Sequence, residues 1–250
     1  MFLINIVINL IILINLTLIA GILPLIERKY LSLIQRRVGP TFVGYKGRLQ
    51  FIADALKMFL KGCLIPNRVN SFYFLFYPSL VLAICYLFWL NIYWGLNIIY
   101  FELEYNFVYM LILSAFINFF VILTGINSNN KYATLASLRA VFMLFCLELL
   151  LSLMFLNIYL YNNSFNFSFL MVLQEEYILF GIFFCVYSLI LTATLMEINR
   201  SPFDLTEAES ELISGFHVEY GAFFFGLFYL GEYFHLFFFS IVIVIIFTGI

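Results

Sequence analysis

Long stretches without any charged residue constrain this chain more than any other feature. Two of them, Phe2–Leu25 and Phe72–Phe101, each exceed 20 residues. About 20 apolar residues suffice for a helix to cross the hydrocarbon core of a bilayer. The whole chain is 65% hydrophobic and 10% charged, against about 45–50% and about 25% in soluble domains. This composition excludes a soluble globular enzyme, and it also excludes a disordered chain, which needs low hydrophobicity and high charge.

The hydrophobic pattern predicts an all-α fold, a membrane bundle of six transmembrane helices. Residues 1–250 show no internal repeat and no soluble domain, so we expect a single membrane domain. The first stretch lacks a basic leading region and a cleavage site, so we interpret it as a retained span rather than a signal peptide. The six predicted spans are Phe2–Leu25, Phe72–Phe101, Tyr105–Ile126, Leu138–Tyr161, Tyr177–Met196 and Tyr220–Ile250.

The net charge of −2 conceals two opposite regions. Residues 27–68 contain nine basic and two acidic residues, which leaves three basic and 12 acidic residues elsewhere. Positive residues favour the interior side of a membrane. With six spans, this rule places loops 26–71, 127–138 and 197–219 on the interior side and the amino terminus on the outer side. This rule counts only Lys and Arg, so it does not explain why loop 197–219 contains so many acidic residues.

The basic loop 26–71 begins with turn-forming glycines and continues as an amphipathic pattern. Apolar residues recur at helical spacing from Phe51 to Leu60, while Gln50, Asp54, Lys57 and Lys61 share the opposite face. This pattern predicts a helix over 49–61 lying along the membrane surface. This helix has two possible roles. It is an ordinary interfacial anchor, or the helix and the rest of the loop form the mouth of a lipid-side pocket and dock a soluble partner.

The acidic loop 197–219 predicts a short helix at about 205–214. Pro202 ends the preceding span, and Asp204 followed by Glu207 resembles a capping box. A charge run usually means a solvated face. Here the acids alternate with large apolar residues between two spans. We therefore favour proton or ion handling, since carboxylates clustered near a low dielectric exchange protons as a coupled set.

Three charged residues fall inside predicted spans, namely Arg139, Glu148 and Glu232. Charge within a bilayer is costly and is by default a functional hypothesis. Arg139 and Glu148 lie on opposite faces of one helix and are separated by about 13 Å along its axis, so each needs a partner on another helix or in a water-filled cavity. Alternatively, the Arg139 side chain extends along the helix to the membrane interface. His235, one turn after Glu232, is expected to be a buried neutral hydrogen bonder rather than a ligand.

Cysteine and histidine usage argues against a redox centre or metal site in this chain. Cys63, Cys85, Cys146 and Cys185 are scattered, whereas iron–sulfur and zinc sites need clustered thiolates. The only histidines are His217 and His235. Any electron transfer coupled to this chain is therefore expected to use centres on other subunits.

Several motifs together resemble a known family, the subunit 1 family of the NADH dehydrogenase of respiratory complex I. The first motif runs from Glu27-Arg28-Lys29 through Gln35-Arg36-Arg37-Val38-Gly39-Pro40 to Ala53-Asp54-Ala55-Leu56-Lys57. The others are Glu197 to Tyr220, Leu138-Arg139-Ala140-Val141 with Glu148, and Gly231-Glu232-Tyr233. The likeness extends along the whole chain.

The resemblance implies a subunit at the junction of the membrane arm and the soluble arm, where ubiquinone is the substrate. It implies that the chain helps to build the ubiquinone chamber and begins the series of acids that couples quinone reduction to proton pumping. The implied function involves no metal bound by this chain and no nucleic-acid partner. The implied quinone-chamber residues are Arg28, Arg36, Gly39, Pro40, Asp54 and Lys57. The implied coupling residues are Arg139, Glu148, Glu197, Arg200, Asp204, Glu207, Glu209, Glu211, Glu219 and Glu232.

The implied setting is the mitochondrial inner membrane, with the amino terminus in the intermembrane space and both charged loops in the matrix. The implied partners are the iron–sulfur subunit of the soluble quinone-reducing arm, the adjacent small membrane subunits and membrane lipids. Two departures from the family pattern stand out. His217 occupies a position where the family usually has Asn. The chain also stops in the sixth span, so we expect a second polypeptide to supply the remaining spans through a split gene.

Three other functions are compatible with the same residues. An ion or proton transporter could use these acids without a quinone, and a passive anchor could hold a hydrophilic enzyme at the membrane. A relative that serves a membrane hydrogenase is the third alternative.

Overall fold

The computed structural model describes residues 2–90, 92, 105–162, 166–176, 181, 183–200, 203 and 215–248. All regular secondary structure in these ranges is helical. The helices are α1 (Phe2–Ile34), α2 (Gln50–Leu60), α3 (Ser71–Trp89), α4 (Asn106–Asn127), α5 (Lys131–Asn162), α6 (Phe167–Glu176), α7 (Phe184–Glu197) and α8 (Ala222–Thr248). Short 3-10 turns occupy Tyr45–Gly47 and Gly215–His217.

Five of the described helices are long and apolar enough to cross a membrane, namely α1, α3, α4, α5 and α8. They correspond to five of the six predicted spans. The remaining predicted span, Tyr177–Met196, coincides in part with α7, whose 14 residues are apolar but shorter than a full crossing. The count of six spans therefore stays a prediction. The short helix predicted at about 205–214 lies outside the described residues.

Helix α1 continues nine residues beyond the predicted end of the first span. The charged triplet that begins at Glu27 ends the apolar stretch but not the helix, because Glu, Arg and Lys are all good helix formers. The helix closes instead at Arg36, which has a φ of 53°. Arg36 N–H donates to the Leu33 carbonyl at 3.1 Å and Arg37 N–H to the Ser32 carbonyl at 2.8 Å, which is the Schellman arrangement. The start of the predicted loop 26–71 is thus helical.

Helix α2 confirms the predicted surface helix to within one residue at each end. None of its residues is fully buried, as expected for a helix that lies along the bundle rather than through it. It packs against α8 and, less extensively, against α1. A helix not predicted from the sequence, α6, also contacts α8.

Helix α8 is central to the bundle, since it contacts α1, α2, α3, α6 and α7. Its buried side chains are large and aromatic, and Phe234, Phe238 and Phe247 are each 1% exposed. Lipid tails are as apolar as these side chains, so close packing rather than transfer from water must hold such helices together. Phe88 and Trp89 of α3 pack with their rings against Phe238.

Small residues allow α4 and α5 to approach closely. Ala133, Ala136, Ser137 and Ala140 form one buried face of α5 at helical spacing. Gly125 of α4 meets this face, and a Cβ atom at that position would overlap the side chain of Ser137. Small residues at membrane helix contacts allow the backbones to come together, so this hairpin depends on glycine at position 125.

Candidate functional site

An ion pair joins the first transmembrane helix to the surface helix. Arg28 Nη2 of α1 lies 2.6 Å from Asp54 Oδ2 of α2, and Gln50 Nε2 donates to Asp54 Oδ1 at 2.9 Å. Partial burial would raise the pKa of Asp54, but the hydrogen bonds from Arg28 and Gln50 and the positive charges of Arg28 and Lys57 outweigh it, so this pKa lies below its usual value. Asp54 is therefore a carboxylate at any physiological pH.

A cavity of about 450 Å³ lies between α1, α2 and α8, with Arg28 and Asp54 among its lining residues. Most of its wall is apolar and includes Leu18, Gly21, Phe51, Met58, Phe223 and Leu230. Ligand pockets commonly enclose about 300–1,000 Å³ and combine apolar walls with a few polar groups. This cavity, with one ion pair in its wall, suits an apolar molecule that carries a polar head.

A second cluster joins α1, the end of α7 and α8. Arg200 Nη1 lies 2.8 Å from Glu27 Oε1, and the hydroxyl of Tyr233 donates to Glu27 Oε2 at 2.6 Å. The guanidinium of Arg200 lies 4.8 Å from the centre of the Tyr233 ring. Partial burial would lower the pKa of Arg200, but interactions with Tyr233, Glu27 and Glu232 outweigh it, and its pKa lies above the usual value. Arg200 therefore stays charged.

The backbone turn at the end of α7 directs Arg200 into this cluster. Asn199 has a φ of 53°, its N–H donates to the Met196 carbonyl at 3.1 Å, and Arg200 N–H donates to the Leu195 carbonyl at 3.2 Å. This is again the Schellman arrangement, for which Asn is a suitable residue. The helix end thus fixes the direction in which the chain, and Arg200 with it, leaves α7.

Two tyrosines of α8 connect the apolar cavity with this cluster. Tyr229 lines the cavity, and its hydroxyl lies 3.4 Å from the hydroxyl of Tyr233. Tyr233 in turn donates to Glu27. A series of hydroxyl and carboxylate groups therefore leads from the wall of the apolar cavity to the Glu27–Arg200 pair.

A smaller cavity of about 60 Å³ also lies between the helices, and although most of its wall is apolar, we call it the polar cavity for the charged and amide side chains that line it. Its polar lining residues are Asn118 of α4, Glu197 of α7, Asn199, and Glu232 and His235 of α8. A polar cavity of this size is large enough for ordered water. Asn118 Nδ2 donates to Glu148 Oε1 and also interacts with Glu197, so this amide links the carboxylates of α5 and α7.

Glu197 is the most enclosed carboxylate of the group. The residue is 4% exposed, and its Oε2 atom has no hydrogen-bond partner within the described part of the chain. A buried, unsatisfied carboxyl oxygen is expensive in a stable structure. Its position on the polar cavity is compatible with a water molecule or a proton as the missing partner.

Two further polar contacts hold the end of the acidic loop. Asn130 Nδ2 donates to Glu219 Oε1 at 2.7 Å, while Asn130 Oδ1 accepts from Tyr132 N–H at 3.0 Å near the start of α5. His217 Nε2 lies 3.6 Å from Glu232 Oε1. Glu219 is thus fixed to the α4–α5 connection, and Glu232 faces both His217 and the polar cavity.

The structure separates the predicted site residues into groups. Arg28 and Asp54 line the apolar cavity, whereas Arg36, Gly39, Pro40 and Lys57 do not. Glu197 and Glu232 line the polar cavity, and Glu148 is connected to it through Asn118. Arg139 is exposed on α5 and does not line that cavity. The predicted residues outside the described part of the chain are Asp204, Glu207, Glu209 and Glu211.

Several residues at these sites were not singled out by the sequence. The sequence motifs include Glu27 and Tyr233 without assigning either a site role, and Tyr229 lies outside these motifs. Asn118 could have been found, because an amide within an otherwise uncharged span needs a hydrogen-bond partner. No group of three or more His, Cys, Asp or Glu side chains in the described ranges is arranged to hold a metal ion.

Comparisons with known proteins agree along almost the entire chain. A family profile described as NADH dehydrogenase matches residues 6–250. "NADH-ubiquinone oxidoreductase chain 1" of Paramecium tetraurelia is 54% identical over 233 residues, which cover 93% of this chain and 89% of the relative. The proteins of the same name from Chondrus crispus and Priodontes maximus are 36% and 37% identical, and the matches cover 72% and 77% of their lengths.

Proposed function

The chain belongs to the NADH dehydrogenase family, and from this membership we propose that it is a core membrane subunit of proton-pumping NADH:ubiquinone oxidoreductase. In this proposal the chain helps to form the ubiquinone chamber and couples quinone reduction to proton movement through its buried carboxylates. Its setting is the mitochondrial inner membrane, with the charged loops 26–71 and 197–219 towards the matrix. Its partners are the other subunits of the complex and membrane lipids.

The observation that carries the proposal is the adjacency of the two cavities. The apolar cavity between α1, α2 and α8 has the volume and the apolar wall that an isoprenoid chain requires. The polar cavity is lined by the carboxylates of Glu197 and Glu232. Residues of α8 line both cavities, and on this helix Tyr229 of the apolar cavity is hydrogen-bonded to Tyr233, which donates to Glu27. An apolar cavity and a group of carboxylates against the same helix, one of them the buried Glu197, are the arrangement that coupling of quinone and proton chemistry needs.

Bound ubiquinone supplies the redox chemistry, taking two electrons from an iron–sulfur centre of a neighbouring subunit and two protons to give the quinol. The residues of this chain bind the substrate and move protons. The apolar cavity holds the chain of the substrate away from lipid, and the Arg28–Asp54 pair presents a fixed charge pattern in its wall. A change of charge near Tyr229 is transmitted through Tyr233 to the Glu27–Arg200 pair.

The carboxylates of the polar cavity form the next part of the path. Arg200 interacts electrostatically with Glu232 as well as Glu27, so a shift at the Glu27–Arg200 pair changes the potential at the polar cavity. Glu197 and Glu148 then respond by exchanging protons through Asn118 and water. The acids of the loop 204–211 belong to this path in our proposal because they precede His217 and Glu219 in the chain.

Photolabelling with a ubiquinone analogue that carries an azide on its tail tests the chamber. In intact complex in inner-membrane vesicles, we expect labelled peptides from residues 17–28, 51–59 and 223–230, with labelling suppressed by excess ubiquinone. Labelling confined to other regions, or labelling that ubiquinone does not suppress, would overturn the assignment. The transporter alternative has its own test, since proteoliposomes of the isolated chain would then move protons without any redox partner.

A further inference from the structure

His217 is a buried histidine that has no role in the proposed coupling path. It ends the 3-10 turn Gly215–His217, which follows the acidic loop and precedes α8. Its side chain is 4% exposed. The rings of Phe216, Phe228 and Phe225 surround the imidazole, with centroids at 3.6, 5.2 and 5.9 Å. An imidazole in such an apolar enclosure is costly to charge unless an anion lies beside it.

A carboxyl group does lie beside it. His217 Nε2 is 3.6 Å from Glu232 Oε1, and Glu232 lines the polar cavity together with Glu197. The separation is slightly longer than a hydrogen bond, and pairs that exchange protons are often long in the resting state and tighten when they act. Among ordinary side chains, imidazole is the one that gains and loses a proton between pH 5 and 8.

We propose that His217 is a positioning residue for Glu232, which it orients towards the polar cavity and with which it exchanges a proton. The step is balanced within the pair. The proton leaves imidazolium Nε2 and joins a carboxylate oxygen of Glu232, which gives a neutral imidazole and a carboxylic acid, and the reverse transfer restores the ion pair. This inference rests on the proposed coupling role of the polar cavity.

Other titratable groups around the pair bias where the proton resides. Glu197 lies across the same cavity on α7, and Glu148 of α5 is connected to that cavity by Asn118. Negative charge on either carboxylate disfavours a second anion at Glu232 and so favours its protonated form. The titratable groups that face the cavity or flank His217 in the described ranges include Glu232, His235, Glu197, Glu148, Glu219, Tyr220 and Cys85. Arg200 also interacts with Glu232, and its positive charge favours the anionic form of that carboxyl group.

A purely structural role makes a different prediction. In that case His217 only fills the space between aromatic rings and lies against Glu232, and its ability to titrate is irrelevant. His217→Gln separates the two roles, because the amide reaches about as far as Nε2 and can donate but does not titrate. His217→Asn is the second variant if the first fails to assemble.

The test measures NADH:ubiquinone reductase rate and protons pumped per quinone from pH 5.5 to 9 in the assembled complex. Four chains are compared: unsubstituted, His217→Gln, Glu232→Gln and the double variant. We expect His217→Gln to assemble normally and to shift the acid limb of the profile by about one pH unit, a tenfold change in proton affinity. The double variant should behave like Glu232→Gln alone, because the two residues act as one unit.

An unshifted profile in His217→Gln would overturn the inference, as would effects of the two substitutions that simply add. If Glu232→Gln impairs pumping while His217→Gln is unaffected, only the role of His217 fails. If Glu232→Gln itself pumps normally over the whole pH range, the proposed coupling role of the polar cavity fails with it.

Discussion

Arg200 Nη1 lies 2.8 Å from Glu27 Oε1, although 173 positions separate the two residues in the chain. The pair joins the carboxyl-terminal part of α1 to the end of α7, and Tyr233 adds α8 through its hydrogen bond to Glu27. Three helices of the bundle therefore meet at one charged contact. The contact lies between the apolar cavity, which Tyr229 lines, and the polar cavity, which Asn199 lines.

Breaking this pair should reduce turnover without preventing assembly. Among the described residues, Arg200→Gln leaves Glu27 with the Tyr233 hydroxyl as its side-chain partner. We expect the quinone reductase rate to fall about tenfold, the lower end of what a lost hydrogen bond to a charged group costs. Arg200→Lys keeps the positive charge but loses the planar arrangement of guanidinium donors, so we expect a smaller decrease in the reductase rate. The measurement is the rate in membrane vesicles, normalised to assembled complex on native gels. The exposed Lys131→Gln is the control, and Arg200→Gln as active as Lys131→Gln would contradict this role.

Filling the apolar cavity should weaken quinone binding. Gly226 lies in its wall, and a Cβ atom there would stand 3.0 Å from Met58 Sδ, at a flexible part of the side chain. We expect Gly226→Leu to raise the KM for a short-chain quinone about five- to tenfold, about 1–1.4 kcal/mol, with a smaller change in kcat. Gly62→Ala is the matched control, because an added Cβ there meets nothing within 4 Å. An unchanged KM in Gly226→Leu would place the quinone elsewhere.

The Arg28–Asp54 contact should be insensitive to pH over the physiological range. The pKa of Asp54 lies below its usual value, so the stabilisation from this carboxylate is complete above the unfolded value of about 4 and is lost only as the pH falls through the still lower folded value. Hydrogen exchange of α2 should therefore be constant between pH 5 and 8 after correction for the intrinsic rate. Asp54→Asn should increase exchange of α2 at every pH. A loosening of α2 near pH 6–7 in the unsubstituted chain would contradict this assignment.

Helix positions could be predicted from the sequence because they depend on local pattern. The alternation of Phe51, Ala55 and Phe59 with Asp54 and Lys57 predicted α2 to within one residue. The end of α1 could not be predicted in this way, since Glu27, Arg28 and Lys29 end an apolar stretch without ending a helix. The turn at Arg36 is set by a left-handed backbone conformation that is unusual for arginine.

The sequence predicted which residues belong to the candidate site, but it did not predict which of them contact one another. The motifs around Arg28 and Asp54 contained both members of that ion pair, only 26 positions apart. Glu27, Arg200 and Tyr233 meet through the packing of three helices, and nothing in the local pattern of any one helix indicates its partners. Asn118 has a local signal, since it is an amide within an apolar span, but that pattern does not identify its partners Glu148 and Glu197 on two other helices.

The ratio of protons pumped per quinone reduced in a Glu197→Gln variant tests the central claim most directly. Glu197 is the most buried carboxylate of the polar cavity, and Gln keeps its size while removing the exchangeable proton. Ser152→Ala on α5 is the control, since that hydroxyl is exposed and donates within its own helix to Leu149 O. Both are measured in sealed vesicles at matched reductase rates. We predict a ratio reduced by at least half for Glu197→Gln and unchanged for Ser152→Ala, whereas a fully assembled Glu197→Gln complex with an unchanged ratio would contradict coupling through this carboxylate.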